Sequence, residues 1–538
     1  MAGTRVRLCL CLTAPTLDQD LELAARYRSS VDLLELRADF LQPGEWAALA
    51  RFPQRAGLPA ILTLRRPAEG GHWPGREGER RRLLARALGE DGVPYAFVDL
   101  EEDLRDAELE TRARERGTRV IRSVHDLSGV PRGLPARLRR LARAPGELPK
   151  VAVLVHGSGD LLRLFRAYRE LEGLEKILLG MGEYGLPTRV LAGRLGSWLT
   201  YCSPAGDSGQ GPQGVGGPPA GSLPSAAPGH LSPEAFLDLY RFRRIDRETA
   251  LFGVIGNPIA HSRSPELHNR GYAALGLNAV YLPFRVDRLG PFLRAAELLG
   301  VQGLSVTVPF KREVIRRLAG AADEVRAIGA CNTLLRRGSG WWGANTDAAG
   351  FLEPLERQAP ELLRPGAGVT VLGAGGAARA VVYALASRGL RVLVLNRTAA
   401  RARALARRFG CAWGGLDARG VERMRRFGEL IVQSTTVGMA GSPDRVPGAR
   451  GSSAAPRARL EGAADPLPEY DFKGTELVYD LVYSPPLTPL LARAQAAGCR
   501  TIGGMSMLEA QARAQFRLFT GQDYPQGAAL YSCRPSSF

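Results

Sequence analysis

Lysine is nearly missing from this 538-residue sequence: of its 72 basic residues only four are lysines, Lys150, Lys176, Lys311 and Lys473. Arginine holds the other positions where a solvated positive charge suffices, but a guanidinium cannot replace an amine that must lose its proton. The four lysines are therefore candidates for chemistry, against the plainer alternative that some are leftovers. Cysteine is also scarce. Seven cysteines with no Cys-x-x-Cys pair argue against a disulfide framework and a structural zinc site, and suit a reducing compartment. No apolar run is long enough to span a bilayer. The net charge of +18 comes without a recognition-helix signature, zinc-finger spacing or aromatic-basic strand. Its arginines alternate with acids, as in Arg76-Glu77-Gly78-Glu79-Arg80, and read as solvated helix faces. No nucleic-acid, membrane or metal partner is expected.

What is present is ordinary globular composition, 45% apolar and 23% charged, in a chain too long for one hydrophobic core. The first part alternates short apolar runs with arginine-rich helical stretches. The runs are Val6–Thr13, Val31–Leu36, Ala60–Leu64, Tyr95–Glu101, Arg119–Val124, Val151–Val155, Lys176–Gly180 and Ser197–Tyr201. Eight strands with helices between most of them predict a (β/α)8 barrel. The start, Arg5 to Pro15, reads as its buried first strand rather than as a signal peptide. Residues 203–225 are rich in Gly, Pro and Ser and read as an insertion, after which Pro233–Arg243 is expected to close the unit as a helix. A second α/β pattern begins near Ile245 and contains another apparent insertion, 441–467. The expected division is 1–245 for the barrel, 246–348 for a substrate lobe, 349–500 for a dinucleotide lobe and 501–538 for a helical return.

In the second half, Val369-Thr-Val-Leu-Gly373-Ala374-Gly375-Gly376-Ala377-Ala378 reads as a strand, a Gly-rich turn and a helix start. Such a turn lets a pyrophosphate approach backbone N–H groups at the helix N-terminus. The next strand ends in Asn396-Arg397-Thr398, where an NAD enzyme usually places an acid for the ribose hydroxyl. Asparagine followed by arginine suits a 2′-phosphate, so NADP is the expected cofactor, with Arg401 either assisting or simply surface charge.

Upstream lies His261-Ser262-Arg-Ser264-Pro265, in which two hydroxyls can meet one carboxylate or Ser264 can cap a helix. Then follow Ser305-Val-Thr307-Val-Pro-Phe-Lys311, Ile328-Gly-Ala-Cys-Asn332-Thr333 and Gly343-Ala-Asn345-Thr-Asp347. With the Gly-rich turn, Tyr479-Asp480-Leu481 and Gly503-Gly504-Met505-Ser506 through Gln511, these motifs resemble shikimate dehydrogenase from about Leu251 to Gly521. The resemblance implies a catalytic pair, Lys311 and Asp347, carboxylate binding by Ser262 and Ser264, and ring-hydroxyl contacts from Thr307, Asn332, Asn345 and Gln511. It implies cofactor contacts at Gly373, Ala374, Gly375, Gly376, Ala377, Asn396, Arg397, Thr398, Arg401, Thr435, Gly438, Met439 and Gly504. Ser305 and Gln433 stand where the family usually has asparagine.

The first half has its own constellation. Glu35 and Arg37 share one strand face by the period-two rule. Thr63-Leu-Arg65, then Glu69-Gly70-Gly71, Ser123-Val-His125-Asp126, Pro149-Lys150 and Met181-Gly-Glu183 through Arg189 add charge near strand ends, where burial is costly unless paired. A lone His125 would more often be structural, but it stands beside a lysine and arginines. These motifs resemble type I 3-dehydroquinate dehydratase over about Arg5 to His230. The resemblance implies a Schiff base on Lys150, His125 as acid and base, and Glu69 orienting it. Arg189 would hold the carboxylate, and Glu35, Arg37 and Arg65 the ring hydroxyls. The family's Ser-Ala-Pro-Gly-Gln loop reads Ala226-Ala-Pro-Gly-His230 here, so His230 and Ser225 are the candidates to replace the lost contacts. Lys150 opens its expected strand rather than ending it.

Together the two resemblances imply a fused shikimate-pathway enzyme, making 3-dehydroshikimate and reducing it to shikimate with NADPH. Alternatives are a quinate-preferring dehydrogenase, an impaired dehydratase half, and a non-catalytic basic binding protein. No transit peptide is evident, and cytoplasm or plastid stroma is expected. The sequence sets no oligomeric state and is compatible with a monomer.

Overall fold

The computed structural model describes residues 5–89, 92–141, 144–204, 227–260, 262–439 and 464–528. The chain falls into two units, Met1–Pro265 with Gly276–Val301, and Glu266–Leu275 with Gln302–Phe538.

In the first unit eight parallel strands follow one another: β1 (Arg7–Leu12), β2 (Leu33–Arg37), β3 (Ala60–Thr63), β4 (Phe97–Glu101), β5 (Arg119–Asp126), β6 (Leu148–Leu154), β7 (Ile177–Met181) and β8 (Leu199–Cys202). Each neighbours the next as far as β7, and β8 returns to pair with β1. Across the remaining seam the Trp198 N–H donates to the Lys176 carbonyl at 2.7 Å. The expected barrel is present.

Alternation along each strand sorts its side chains by height inside the barrel. Cys9, Leu33, Ile61, Phe97, Ile121, Leu148, Ile177 and Leu199 form an apolar floor. Two residues further along their strands come Glu35, Thr63, Asp99, Ser123 and Lys150, all buried. A polar layer therefore rests on an apolar one, and the pairing of Ser123 with Lys150 keeps β5 and β6 in that register. The strand β6 starts earlier than the run at Val151 suggested, because Leu148 and Pro149 already pair with Ile121 and Arg122. Lys150 is its third residue, not its first.

Two further expectations are corrected here. Arg80 is fully buried rather than solvated, with Nη1 donating to the Leu64 carbonyl and to Glu101 at 2.7 Å. The stretch Pro233–Arg243 is not a regular helix but two short turns, Ala235–Leu239 and Phe242–Arg244, pinned by edge-on packing of Phe236 against Phe242. Lys176, to which sequence gave no role, is buried with Nζ donating to the carbonyls of Leu171 and Gly196. Most of the insertion 203–225 lies outside the described residues, but Ser203 is a buried residue next to β8. The unit also contains β9 (Ala250–Gly256) and β10 (Ala279–Arg285), paired in parallel, and the helix Leu289–Leu299.

The second unit holds β11 (Val301–Val306), β12 (Gly320–Ala321), β13 (Thr333–Arg337) and β14 (Gly340–Ala344), with β13 antiparallel to both β11 and β14. It also holds a six-stranded sheet of β15 (Gly368–Leu372), β16 (Arg391–Asn396), β17 (Ala412–Gly415), β18 (Leu430–Gln433), β19 (Leu477–Asp480) and β20 (Arg500–Ile502). Its order, β17-β16-β15-β18-β19-β20, is that of a doubly wound dinucleotide fold, whose ligand crevice opens where β15 and β18 diverge. Residues 440–463 of the second insertion lie outside the described residues. Its C-terminal end belongs to the core: Leu467 is buried among Leu372, Ile431 and Leu490. No helix among the described residues is long and apolar enough to cross a membrane.

Candidate active sites

Above the apolar floor, the barrel encloses a cavity of about 260 Å³. It is lined by Glu35, Arg37, Arg65, Glu69, His125, Lys150, Arg189 and His230, every barrel residue expected at a site. The Lys150 amine donates to Asp99 Oδ2 at 2.9 Å and to Glu35 Oε1 at 3.4 Å, and lies 4.6 Å from the centre of the Tyr201 ring. Glu35 also accepts from the Thr63 hydroxyl at 3.0 Å and the Cys11 thiol at 3.2 Å. Burial pushes the Glu35 carboxyl up, but Lys150 and Arg37 outweigh it and hold it below the usual range. Arg37 is committed to Asp39 through a two-pronged fork, 2.9 and 2.8 Å.

Asp99 was not singled out by sequence and is the hub of this layer. It accepts from Lys150, from Ser123 Oγ, and pairs with Arg65 Nη2 at 2.9 Å. Its burial is overcome by Arg65 and Lys150, which keep the carboxyl well below the ordinary carboxylate range. The signal was available: Asp99 and Glu101 sit two apart on an otherwise apolar strand, as Glu35 and Arg37 do.

His125 ends β5 on the same face. Its Nδ1 lies 2.6 Å from Arg65 Nη1 and 3.1 Å from Glu69 Oε2, while Glu69 Oε2 accepts from its backbone N–H at 3.0 Å. Nδ1 stands between a donor, Arg65, and an acceptor, Glu69, so it accepts from the first in one ring tautomer and donates to the second in the other. Burial, then Arg65 and Lys150, depress the imidazole well below its ordinary pKa. It is neutral.

Arg189 is buried, and its Nε and Nη1 have no hydrogen-bond partner among the described residues. Burial brings it down to about 10, still charged at neutral pH. Nη2 reaches the Pro228 carbonyl at 3.5 Å. A buried cation with two open donors is a binding group for an oxyanion that the cavity admits. His230 occupies the cavity wall as expected, with Nδ1 2.6 Å from Ser203 Oγ, and burial followed by Arg189 keeps it uncharged. Ser225 and Ala226 lie outside the described residues.

In the second unit Lys311 Nζ donates to Asp347 Oδ2 at 2.6 Å. Asn332 Nδ2 donates to Asp347 Oδ1 at 2.8 Å and to Thr346 Oγ1 at 2.9 Å, and lies 3.4 Å from Gln511 Oε1. Asn345 spends its side chain on the backbone, donating to the Ala330 carbonyl and accepting from the Asp347 N–H. Gln515, also missed by sequence, clasps Ser305, the Asn332 carbonyl and Thr333 in a buried network. Thr307 follows β11 and is partly exposed. Ser262 and Ser264, which belong to the first unit, are joined by a 3.4 Å bond from the Ser264 N–H to the Ser262 hydroxyl, at the start of the helix Ser264–Ala274.

The Gly-rich turn sits at the divergence of β15 and β18. Gly373 has φ +112°, and a β-carbon there would meet Ser434 Oγ at 2.7 Å. Gly375 and Gly376 lead into the helix Gly376–Ala386, flanked by Ala374 and Ala377. Nothing would meet a β-carbon at Gly375 within 4 Å, which leaves open space over the helix N-terminus. Asn396 donates to the Thr398 carbonyl at 3.0 Å, and Arg397 and Arg401 are exposed just beyond β16. Gln433 closes the loop toward Gly438 and Met439. It donates to Thr435 Oγ1 and the Val437 carbonyl and accepts from the Thr435 N–H. Gly504 opens the long helix Gly504–Thr520 that carries Gln511. Among the described residues no group of His, Cys, Asp and Glu is arranged to hold a metal.

A buried amine in a barrel cavity and a lysine–aspartate pair beside a dinucleotide fold define a two-centre enzyme, one centre suited to covalent carbonyl chemistry and the other to reduction. Comparison with known proteins agrees. Family models match as type I 3-dehydroquinase over residues 8–247, shikimate dehydrogenase substrate binding domain over 254–334, and shikimate / quinate 5-dehydrogenase over 359–435. The bifunctional 3-dehydroquinate dehydratase/shikimate dehydrogenase of Arabidopsis thaliana, a chloroplastic protein, is 30% identical over 540 residues, 96% of this chain and 83% of that protein. The NADP(+) shikimate dehydrogenase of Oleidesulfovibrio alaskensis is 41% identical over 288 residues, 52% of this chain and 93% of that protein. A solved shikimate dehydrogenase from Aquifex aeolicus, 33% identical, covers 53% of this chain and 97% of its own, with a TM-score of 0.46. The chain belongs to the family of bifunctional 3-dehydroquinate dehydratase/shikimate dehydrogenases.

Proposed function

We propose that the barrel dehydrates 3-dehydroquinate through a Schiff base on Lys150 and that the second centre reduces the product, 3-dehydroshikimate, to shikimate with NADPH. The observation that carries the first step is the placement of the Lys150 amine in a cavity whose wall holds Arg189, two of whose donors have no partner among the described residues. Arg189 takes the substrate carboxylate in a charge-assisted fork and sets the ring against Lys150. The Lys150 amine adds to the ketone after passing one proton to a neighbouring base, and return of that proton to the carbinolamine hydroxyl expels water and leaves a protonated imine that draws electrons from the ring. In the reactive tautomer the His125 Nδ1 carries the ring proton and donates to Glu69, and the lone pair on Nε2 removes the proton from the carbon beside the imine. The same imidazole returns that proton to the departing hydroxyl as water, and hydrolysis of the imine frees Lys150. Glu35 and Arg37 meet ring hydroxyls, and His230, neutral and anchored on Ser203, supplies a hydrogen bond at the cavity wall.

At the second centre the Lys311 ammonium, held 2.6 Å from Asp347, gives its proton to the alkoxide formed as the ketone is reduced. Asn332 fixes Asp347 from the other side, and Gln511, Thr307 and Asn345 complete the ring-hydroxyl contacts, with Ser262 and Ser264 for the carboxylate. The Gly373–Ala377 turn, with its left-handed glycine and open helix N-terminus, fits a dinucleotide pyrophosphate. Asn396, Arg397, Thr398 and Arg401 would take the ribose 2′-phosphate, and Thr435, Gly438, Met439 and Gly504 would contact the rest of the dinucleotide. A reduced nicotinamide bound there supplies the hydride. We assign 1–245 to the dehydratase, 246–348 and 501–538 to the substrate lobe, and 349–500 to the NADP lobe, in a stromal or cytoplasmic enzyme.

The test supplies the purified chain with 3-dehydroquinate and NADPH alone and follows NADPH loss. Consumption is expected and needs both centres. Lys150→Arg should stop it and abolish borohydride trapping of substrate while sparing 3-dehydroshikimate reduction. Lys311→Arg should do the reverse. Either variant keeping its own step at full rate would overturn the assigned role.

A further inference from the structure

Residues 254–334 match the dehydrogenase substrate-binding model, yet within the first unit part of this stretch reaches the mouth of the barrel. Arg285, the last residue of β10, donates through Nη1 to Glu183 Oε2 at 2.8 Å, and its guanidinium carbon lies 5.1 Å from the centre of the Tyr184 ring. Both partners of the ion pair are largely buried, at 18% and 14% side-chain exposure. Among the described residues Glu183 Oε1 is buried without a hydrogen-bond partner, so Arg285 is the main compensation of this carboxylate for leaving water. Two residues further on, Asp287 accepts from the Ser158 N–H at 2.8 Å, at the start of the helix that follows β6.

Glu183 and Tyr184 occupy the turn between β7 and the short helix Leu186–Val190, and that helix carries Arg189. The same turn supports the opposite wall of the cavity. The Gly182 N–H donates to the Pro228 carbonyl at 3.1 Å, the oxygen that Arg189 Nη2 also approaches. Arg285 therefore grips from outside a turn from which Arg189 and the residues around Pro228 are suspended inside.

We propose that Arg285 is a positioning residue for the dehydratase: it fixes the Glu183–Tyr184 turn and through it the carboxylate-binding geometry of Arg189. A residue from the dehydrogenase-like sequence thus acts on the other enzyme's binding pocket from outside it. The proposal rests on Arg189 being the carboxylate ligand.

The test uses the full chain and steady-state dehydration of 3-dehydroquinate. Arg285→Ala should raise KM about tenfold and change kcat less than about threefold, as expected for lost uniform binding. Reduction of 3-dehydroshikimate should be unchanged. Glu183→Gln should raise KM similarly, and the double variant should be no worse than either single one. Arg285→Lys should restore part of the loss by keeping the charge. In an Arg189→Ala background, Arg285→Ala should add no further rise in KM, a silence that general destabilisation would not produce. An unchanged KM for Arg285→Ala, or additive effects with Glu183→Gln or with Arg189→Ala, would overturn the proposal. Should Arg189→Ala itself leave KM unchanged, the reading of Arg189 fails instead.

Discussion

Lys311 and Gly376 touch: a β-carbon on the glycine would lie 2.9 Å from Lys311 Cβ and 3.0 Å from its Cδ. The first residue of the helix Gly376–Ala386 is thus also the surface against which the side chain of Lys311, the proposed proton donor, is laid. Gly376→Ala is expected to displace that stem and lower kcat/KM for 3-dehydroshikimate on the order of 10- to 100-fold. Dehydration should remain at full rate. Stopped assays of the two half-reactions distinguish this from general unfolding.

Asp99 joins Lys150, Arg65 and Ser123 in one buried network. Asp99→Asn leaves the buried cations Lys150 and Arg65 short of a counter-charge and should lower kcat/KM for dehydration on the order of 100-fold, about 3 kcal/mol of transition-state stabilisation. Borohydride trapping should weaken in parallel, because the amine is no longer held in place. An Asn variant with normal trapping would show that Asp99 is structural only.

His125 is held well below its ordinary value of 6.5, chiefly by burial and then by Arg65 and Lys150. The acidic limb of kcat/KM for dehydration should therefore lie below pH 6.5, since the base is lost only when the imidazole takes a proton. Arg65→Ala removes one cause of the depression and should move that limb upward. A pH profile of both proteins measures the shift directly.

Asp20 is buried, accepts from the Ala14 N–H at 3.0 Å, and is pushed up to about 7 by burial. The unfolded carboxyl releases its proton near 3.8, so between those values the folded state binds the extra proton. Stability contributed here falls as pH rises through that window. Asp20→Asn does not titrate, so its melting temperature should gain on that of the parent between pH 4 and pH 8, by on the order of a few kcal/mol in stability. Parallel melting curves at the two pH values test the sign.

The barrel was legible because its strands are short apolar runs separated by polar helices, and alternation exposed Glu35 and Arg37 as inward charges. The same rule held for Asp99, whose strand mate Glu101 carries the same sign, so no paired cation drew attention to it along the chain. Its partners Lys150 and Arg65 come from other strands, 51 and 34 residues away in sequence, and only closure of the sheet brings them together. Arg80 was misread for a related reason. A helix rich in Arg and Glu looks solvated from its own composition, while the acceptors that bury Arg80 are Glu101 and a backbone carbonyl beyond β3. Leu467 shows the limit of composition at a boundary: the residues before it are of low complexity, but its own side chain is buried against Leu372 of β15 and Ile431 of β18. The Gly-rich turn and the lysine–aspartate pair were plain from motifs, whereas Gln433 acquires its meaning only from the loop it closes.

The amines of this protein are almost all spoken for. Lys150 and Lys311 are tied to carboxylates, Lys176 to carbonyls, and Lys473 is exposed to solvent. An acylating reagent directed at lysine side chains would therefore meet a surface whose positive charge is guanidinium and inert to it. Lys473 should be modified first and harmlessly, and the slower loss of each activity would then report access to Lys150 and Lys311 separately, with bound substrate or dinucleotide as the protecting agent for each.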